Sequence, residues 1–455
     1  MAGKAPLINR ASSQQMAYIS QPLLTLGGEA GFINAQQFML HVHNLAAVLP
    51  EHRYVINLCG NRYLVMLVLC AAVLKEQTNL LPPNKNIATQ QRLHERYPDC
   101  YVIHDGIEIE PSLPQLDLSL LDLSGASDDF CVPDIALDHL AAISFTSGST
   151  GDAKPNCKTW HTLTASTDIN QRYMLPNEGT CYQLATVPGQ HMWGLETSVL
   201  MALFADVCVV DAKPLFPQDI QRLLSNLPVP RMLVSTPVHL RALVASDIDY
   251  AGVATVLCAT SPLTKDLAEQ VEARFCADLR EVYGCSEVGS MAVRTTAHSD
   301  VWQRFEGIDF AEQAEKTIIA SAAHVPEEIT LGDHIEVVDK QHFRLAGRTS
   351  DMVDIAGKRG SLHEINTVLL SFPGLVDGIV FFPPQQRAVP RLVALVVLPT
   401  GTDKNALSAH FRNFLDSAFV PRPIIVVDAL PREDNGKLPH KKLLEFYLSL
   451  QAGKS

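Results

Sequence analysis

Apolar residues along this chain come in two alternating rhythms. Short unbroken runs of strand length stand at 207–210, 231–235, 253–258 and 279–283, and stretches with helical spacing lie among them, as at 217–224 and 264–275. Strands that read as continuous apolar runs are buried on both faces, and strands alternating with helices build parallel sheets covered by helices. Residues 54–81 read as an apolar strand, a Gly60-Asn61-Arg62 turn and a long apolar helix stopped by Pro82-Pro83, which is a βα unit. After Arg348 the rhythm changes: helices near 363–370 and 405–419 and strands at 378–382, 392–397 and 424–427 predict a compact α+β unit. The pattern therefore predicts an α/β protein in two parts, a large N-terminal lobe of parallel-rich sheets over 1–346 and a small C-terminal domain over 347–455. The length of 455 residues agrees, because a single core stops growing at about 250–300 residues.

Composition narrows the function classes. A formal charge of −13 without a basic run argues against nucleic acid and anionic membrane as steady partners. The longest apolar run, residues 63–74, is too short for the roughly 20 residues that span a bilayer and reads as a buried helix. The polar Ser12-Ser13-Gln14-Gln15 stretch near the start does not resemble a signal peptide, so a cytoplasmic protein is expected. Ten cysteines without a Cys-x-x-Cys pair or Cys/His metal spacing predict reduced, mostly buried thiols and no zinc site.

Candidate chemistry concentrates where an apolar run meets Thr146-Ser147-Gly148-Ser149-Thr150-Gly151-Asp152-Ala153-Lys154. Glycines let backbone N–H groups approach phosphate oxygens, hydroxyls donate further hydrogen bonds, and Lys154 adds a point charge; together they suit a triphosphate. The loop is not a Walker motif, since Pro155 follows Lys154. Read alone, such a cluster is more often an ordinary surface turn.

Three further segments follow in order: Tyr283-Gly284-Cys285-Ser286-Glu287; Gly332-Asp333 with Gly347-Arg348; and Leu430-Pro431-Arg432-Glu433-Asp434-Asn435-Gly436-Lys437. Together with the first loop they resemble the four signature elements of the adenylate-forming, AMP-binding enzyme superfamily: acyl-CoA synthetases, aryl-acid ligases and peptide-synthetase adenylation domains. The resemblance runs over most of the chain. It implies ATP and Mg²⁺ as cofactors, a mobile C-terminal domain, and coenzyme A or an acyl carrier protein as partner. By the same resemblance Thr146, Ser147, Gly148, Ser149, Thr150, Gly151 and Lys154 grip the β- and γ-phosphates, and Glu287 holds Mg²⁺. Ser286 contacts the α-phosphate, Tyr283 stacks on adenine, Gly284 is part of the same nucleotide-binding element, Asp333 binds the ribose hydroxyls, Arg348 faces ribose or phosphate, and Lys437 is the catalytic lysine. Taken singly, Asp333 could cap a turn, Glu287 and Arg348 could pair with local charges, and Lys437 could be a solvated lysine. Cys285 occupies a variable position of its motif, so a nucleophilic role is not expected of it.

The substrate is read from His191 and Met192 and from Ala259-Thr260-Ser261. His191 resembles the family's gate between acyl pocket and nucleotide. Amino-acid-activating relatives carry an aspartate where this chain has Met192, which cannot pair with an α-ammonium. Thr260 stands where the family commonly has glycine and narrows the pocket. An aromatic or hydroxyaryl acid, passed to a thiol by a free-standing ligase, is the expected substrate; a segment Gly357-Lys358-Arg359-Gly360-Ser361-Leu362 resembles hydroxyaryl-acid ligases. Alternatives are a medium- or long-chain fatty or 3-hydroxy acyl-CoA synthetase and, in a different class, a non-catalytic binding subunit of the same fold. The hinge departs from the family's Gly-Arg-x-Asp-Asp, with Ser350 at the usual pivot and Asp351 next to it.

Overall fold

The computed structural model describes residues 3–82, 84–125, 129–146, 154–176, 179–313, 317–348, 352–355, 358–383, 391–433 and 436–452. Its backbone is an eleven-stranded and a six-stranded sheet, with smaller sheets beside them. At the centre of the larger sheet, Cys181–Ala185, Arg231–Ser235, Thr255–Cys258 and Asp278–Cys285 run parallel in adjacent positions. The last three are apolar runs of the sequence pattern, and the fourth such run, Val207–Val210, pairs parallel with the other edge of Cys181–Ala185, a strand the pattern did not predict. Helices Pro217–Asn226 and Lys265–Phe275 bury one apolar face each against this sheet: Ile220, Leu223 and Leu224 from the first, Leu267, Val271 and Phe275 from the second.

The βα unit near residue 54 is shorter in its helix than the pattern predicts. Asn61 caps helix Arg62–Leu74, which is buried almost throughout, and the chain then turns through Glu76 at φ 57° into a strand, Thr78–Leu81, parallel to Tyr54–Asn57. A buried strand and a buried helix are both unbroken apolar runs, so periodicity does not separate them. The six-stranded sheet continues through Leu140–Thr146 to Lys154–Thr159, which pair antiparallel with Thr146 opposite Lys154.

The last hundred residues build a core of their own. Strands Asp377–Phe381, Val393–Val397 and Ile424–Val426 carry helices Leu362–Leu370, Lys404–Phe414 and His440–Ala452, and their buried side chains form two clusters drawn from residue 353 onward. The last helix was not read from the sequence. Among the described residues no helix is long and apolar enough to cross a membrane, and all ten cysteines are free thiols, six of them buried.

Candidate active site

The C-terminal ends of the parallel strands gather most of the described candidates. Ser235 and Cys258 are register partners on neighbouring strands, so Thr236, Ala259 and Thr260 emerge side by side where each strand ends. Thr260 is held at φ 86°, a backbone region that favours glycine and costs a β-branched residue about 1–3 kcal/mol. Sequence reasoning marked this position because the family places glycine there, and the backbone supplies the reason. Ala259 is buried, Ser261 is half-buried, and Met192 packs into the apolar core. No hydrogen-bond partner among the described residues reaches the Thr260 or Thr236 hydroxyls or His191 Nδ1.

His191 and Lys437, far apart in sequence, come near enough here for the lysine charge to act on the imidazole. Burial, and then the nearby charge of Lys437, depress the His191 imidazole to about 3, so it is neutral at physiological pH. The Lys437 loop is seated on the large lobe: Gly436, at φ 78°, lies so close to Thr236 that an added Cβ would stand 2.9 Å from its hydroxyl oxygen. The loop is braced from behind. Arg432 makes two 2.7 Å bonds to the Asp377 carboxylate and donates to the Gly436 carbonyl at 2.9 Å. From the large lobe, the largely buried Arg241 donates toward the Leu370 carbonyl at 3.5 Å and feels the charge of Asp377.

Tyr283 and Asp333 are joined directly, the phenol donating to Asp333 Oδ2 at 2.8 Å. The Tyr283 ring lies against Trp302 and Phe343, and Asp333 opens the strand Asp333–Val337, whose backbone partner in register is Arg348. Gly284 accepts no side chain, because a Cβ there would stand 2.4 Å from the Gly289 carbonyl oxygen. Ser286 and Glu287 are half-buried in the turn between Asp278–Cys285 and Gly289–Arg294. Burial pushes the Cys285 thiol up to about 11, which leaves it protonated and a poor nucleophile at neutral pH. Lys154 is exposed at the start of its strand. Ser147, Gly148, Ser149, Thr150, Gly151, Ser350, Asp351 and Gly357 lie outside the described residues, as do the side chains of Thr146 and Arg348.

Sequence reasoning missed several residues of this region. Lys158 is buried and donates to the Glu287 carbonyl at 2.7 Å, tying the six-stranded sheet to the Glu287 turn. Glu196 is buried beneath the same turn. Its signal was available, since it is the one acid in the otherwise apolar or small stretch 192–205.

The profile of the AMP-binding enzymes, described as "AMP-binding enzyme", matches residues 36–317, and that of the "AMP-binding enzyme C-terminal domain" matches 364–437. The chain belongs to the AMP-binding enzyme family. It is therefore an AMP-forming ligase of the ATP-dependent, adenylate-forming type. This AMP-binding enzyme is 21% identical to "Putative long chain fatty acid-CoA ligase VraA" of Staphylococcus haemolyticus over 71% of its own chain and 74% of that protein. It is 22% identical to "Fatty acid--[acyl-carrier-protein] ligase MmaC" of Mycobacterium marinum over 70% and 71%. Against larger synthetases it spans a part only, 35% of AmbB of Pseudomonas aeruginosa and 4% of the isonitrile lipopeptide synthase of Mycobacterium tuberculosis. In fold it resembles ATP-bound MatB from Rhodopseudomonas palustris, with a TM-score of 0.78 at 18% identity, covering 96% of this chain and 97% of that one. MenE from Bacillus subtilis with ATP and magnesium ion gives 0.77 at 16%, covering 95% and 96%.

Proposed function

We propose that this AMP-binding enzyme adenylates a carboxylic acid, with aryl and hydroxyaryl acids as its preferred class, and passes the acyl group to a thiol, either coenzyme A or carrier-protein phosphopantetheine. The observation that carries the reading is the seat of the Lys437 loop on the strand ends beside His191. A carboxylate is a poor electrophile; attack of its oxygen on the α-phosphorus of ATP expels pyrophosphate and leaves a mixed anhydride open to a thiol. Such chemistry needs positioning and charge stabilisation more than a protein nucleophile. Lys437, brought in by its loop, faces the charge that develops between carboxylate and α-phosphate. The loop from Thr146 to Lys154 grips the leaving pyrophosphate, Asp333 accepts from the ribose hydroxyls while held by Tyr283, and Arg348 stands opposite it in register. We place the boundary between the two domains at Gly347-Arg348, which the separate core of the last hundred residues supports.

Mg²⁺ is usually bound through one or two carboxylates, with phosphates and water completing its shell, and the half-buried Glu287 turn offers such a carboxylate. Glu287 would be the carboxylate, and the ion would neutralise phosphate charge during transfer.

The acid is read from the pocket. Met192 in its apolar setting offers no anchor to an α-ammonium, neutral His191 presents a flat ring, and the two Thr hydroxyls await a polar partner. A planar acid bearing a hydroxyl meets all three conditions better than an amino acid does. A second reading, a medium- or long-chain fatty or 3-hydroxy acid, is favoured by the names of the two ligases similar over most of their length. ATP–pyrophosphate exchange with equal concentrations of 4-hydroxybenzoate, 3-hydroxybenzoate, cinnamate, phenylalanine and dodecanoate decides between them. An aryl acid should lead and phenylalanine should stay near background; dodecanoate in the lead would hand the site to the second reading.

A further inference from the structure

Beneath the Glu287 turn lies a buried pair of charged residues that the reaction itself does not use. Lys158, on the strand Lys154–Thr159, and Glu196, on the helical segment that follows His191, are 1% and 2% exposed. Each holds one end of the turn. Lys158 Nζ donates to the Glu287 carbonyl at 2.7 Å. Glu196 accepts from the Ser290 backbone N–H at 3.2 Å through Oε1 and from the Ser290 hydroxyl at 2.8 Å through Oε2. Between these grips sits Gly289 at φ 97°, where a Cβ would stand 2.3 Å from Glu196 Oε1. The carboxylate thus occupies the space a side chain at residue 289 would need, and only glycine lets the turn close over it.

Stability alone does not account for the pair. Two charges removed from water cost more than their mutual attraction returns unless every remaining donor and acceptor is used, and apolar replacements of equal volume are commonly as stable or more so. Here the desolvation is visible: burial pushes the Glu196 carboxyl up and the Lys158 ammonium down, each opposed by the other's charge. What an apolar pair could not do is fix the main chain at Glu287 and at Ser290.

We infer that Lys158 and Glu196 are positioning residues for the Glu287 carboxylate: they strap the turn at both ends and so fix where that carboxylate meets the metal–nucleotide complex. The inference rests on the assignment of Glu287 to Mg²⁺ proposed above. Partners that orient a metal ligand from behind are worth about 10–100-fold in metal affinity.

The test is binding rather than turnover. Calorimetry with α,β-methylene-ATP, over a series of Mg²⁺ concentrations and in EDTA, is run on the wild type, on Lys158→Met/Glu196→Gln and on Glu287→Gln. The double variant removes both charges together, so neither is left buried and unpaired, and its urea midpoint should match or exceed that of the wild type. It should nevertheless need about tenfold more Mg²⁺ for half-maximal binding, with binding in EDTA unchanged. Glu287→Gln should shift the same quantity at least as far. A shift in Glu287→Gln with none in the double variant would reduce Lys158 and Glu196 to scaffolding and overturn the inference, leaving the metal assignment standing. No shift in Glu287→Gln would overturn the assignment and the inference with it.

Discussion

A single backbone angle carries much of the specificity argument. Thr260 pays for its place with φ 86°, and its hydroxyl finds no partner among the described residues. Neither the strain nor the hydroxyl gains a compensating hydrogen bond among the described residues. Thr260→Gly should raise stability by up to about 1 kcal/mol, the relieved strain less the added freedom of the unfolded chain, read as a higher urea midpoint. The same variant should widen tolerance for bulky acids in the exchange assay. A less stable variant with unchanged selectivity would remove Thr260 from the pocket. The sequence disclosed the identity of this site but not its strain, since a φ value is set by the strand end and the Pro262-Leu263 segment together and has no signature of its own.

Elements were legible to the degree that their patterns were local. Strands Val207–Val210 and Arg231–Ser235 fall where the apolar runs place them, and helix Leu362–Leu370 starts one residue early. The strand Thr78–Leu81 was merged into the preceding helix because both are buried. The tie between Lys158 and Glu287 and the brace from Asp377 to Arg432 were invisible, since each joins residues far apart in sequence and of ordinary type. That brace makes its own prediction. Arg432→Met should cut acyl-adenylate formation by about 10–100-fold, a loss of ~1.4–2.7 kcal/mol in transition-state stabilisation, by leaving the Gly436 carbonyl and the Lys437 loop unheld. Lys437→Ala marks the floor of that effect. Thioester formation from supplied acyl-adenylate should stay within about threefold of wild type, under 1 kcal/mol, in both. Equal damage to the two half-reactions would show that Arg432 serves only the stability of the small domain.

For the molecule as a whole, acid sensitivity follows from buried imidazoles. Burial lowers His41 to about 4, and burial with the charge of Lys437 lowers His191 to about 3. Both folded values lie below the unfolded value near 6.5, so below that pH the unfolded chain binds more protons and the folded state loses ground. The stability these rings contribute is complete above about 6.5 and drains as pH falls toward 4 and 3, at up to about 1.4 kcal/mol per pH unit for each. Glu196, raised by burial, works in the opposite sense. The carboxylates Glu51, Asp99, Asp122, Asp300 and Asp339 are lowered and exposed, so their contribution is lost only below their unfolded values of 4.5 and 3.8, at the acid end of the histidine window. Urea midpoints should therefore fall between pH 6.5 and 4.5, and His41→Asn should flatten part of the slope; a midpoint constant over that range would contradict the burial of both rings. The order of strands in the large sheet has a consequence for synthesis. The strand Gln15–Ile19 leaves the ribosome well before Val207–Val210, the strand with which it pairs. At about 5–20 residues per second, the nascent chain carries the apolar Met16, Ala17 and Ile19 without that neighbour for roughly ten to forty seconds, an interval in which a chaperone or a neighbouring nascent chain competes for the same edge.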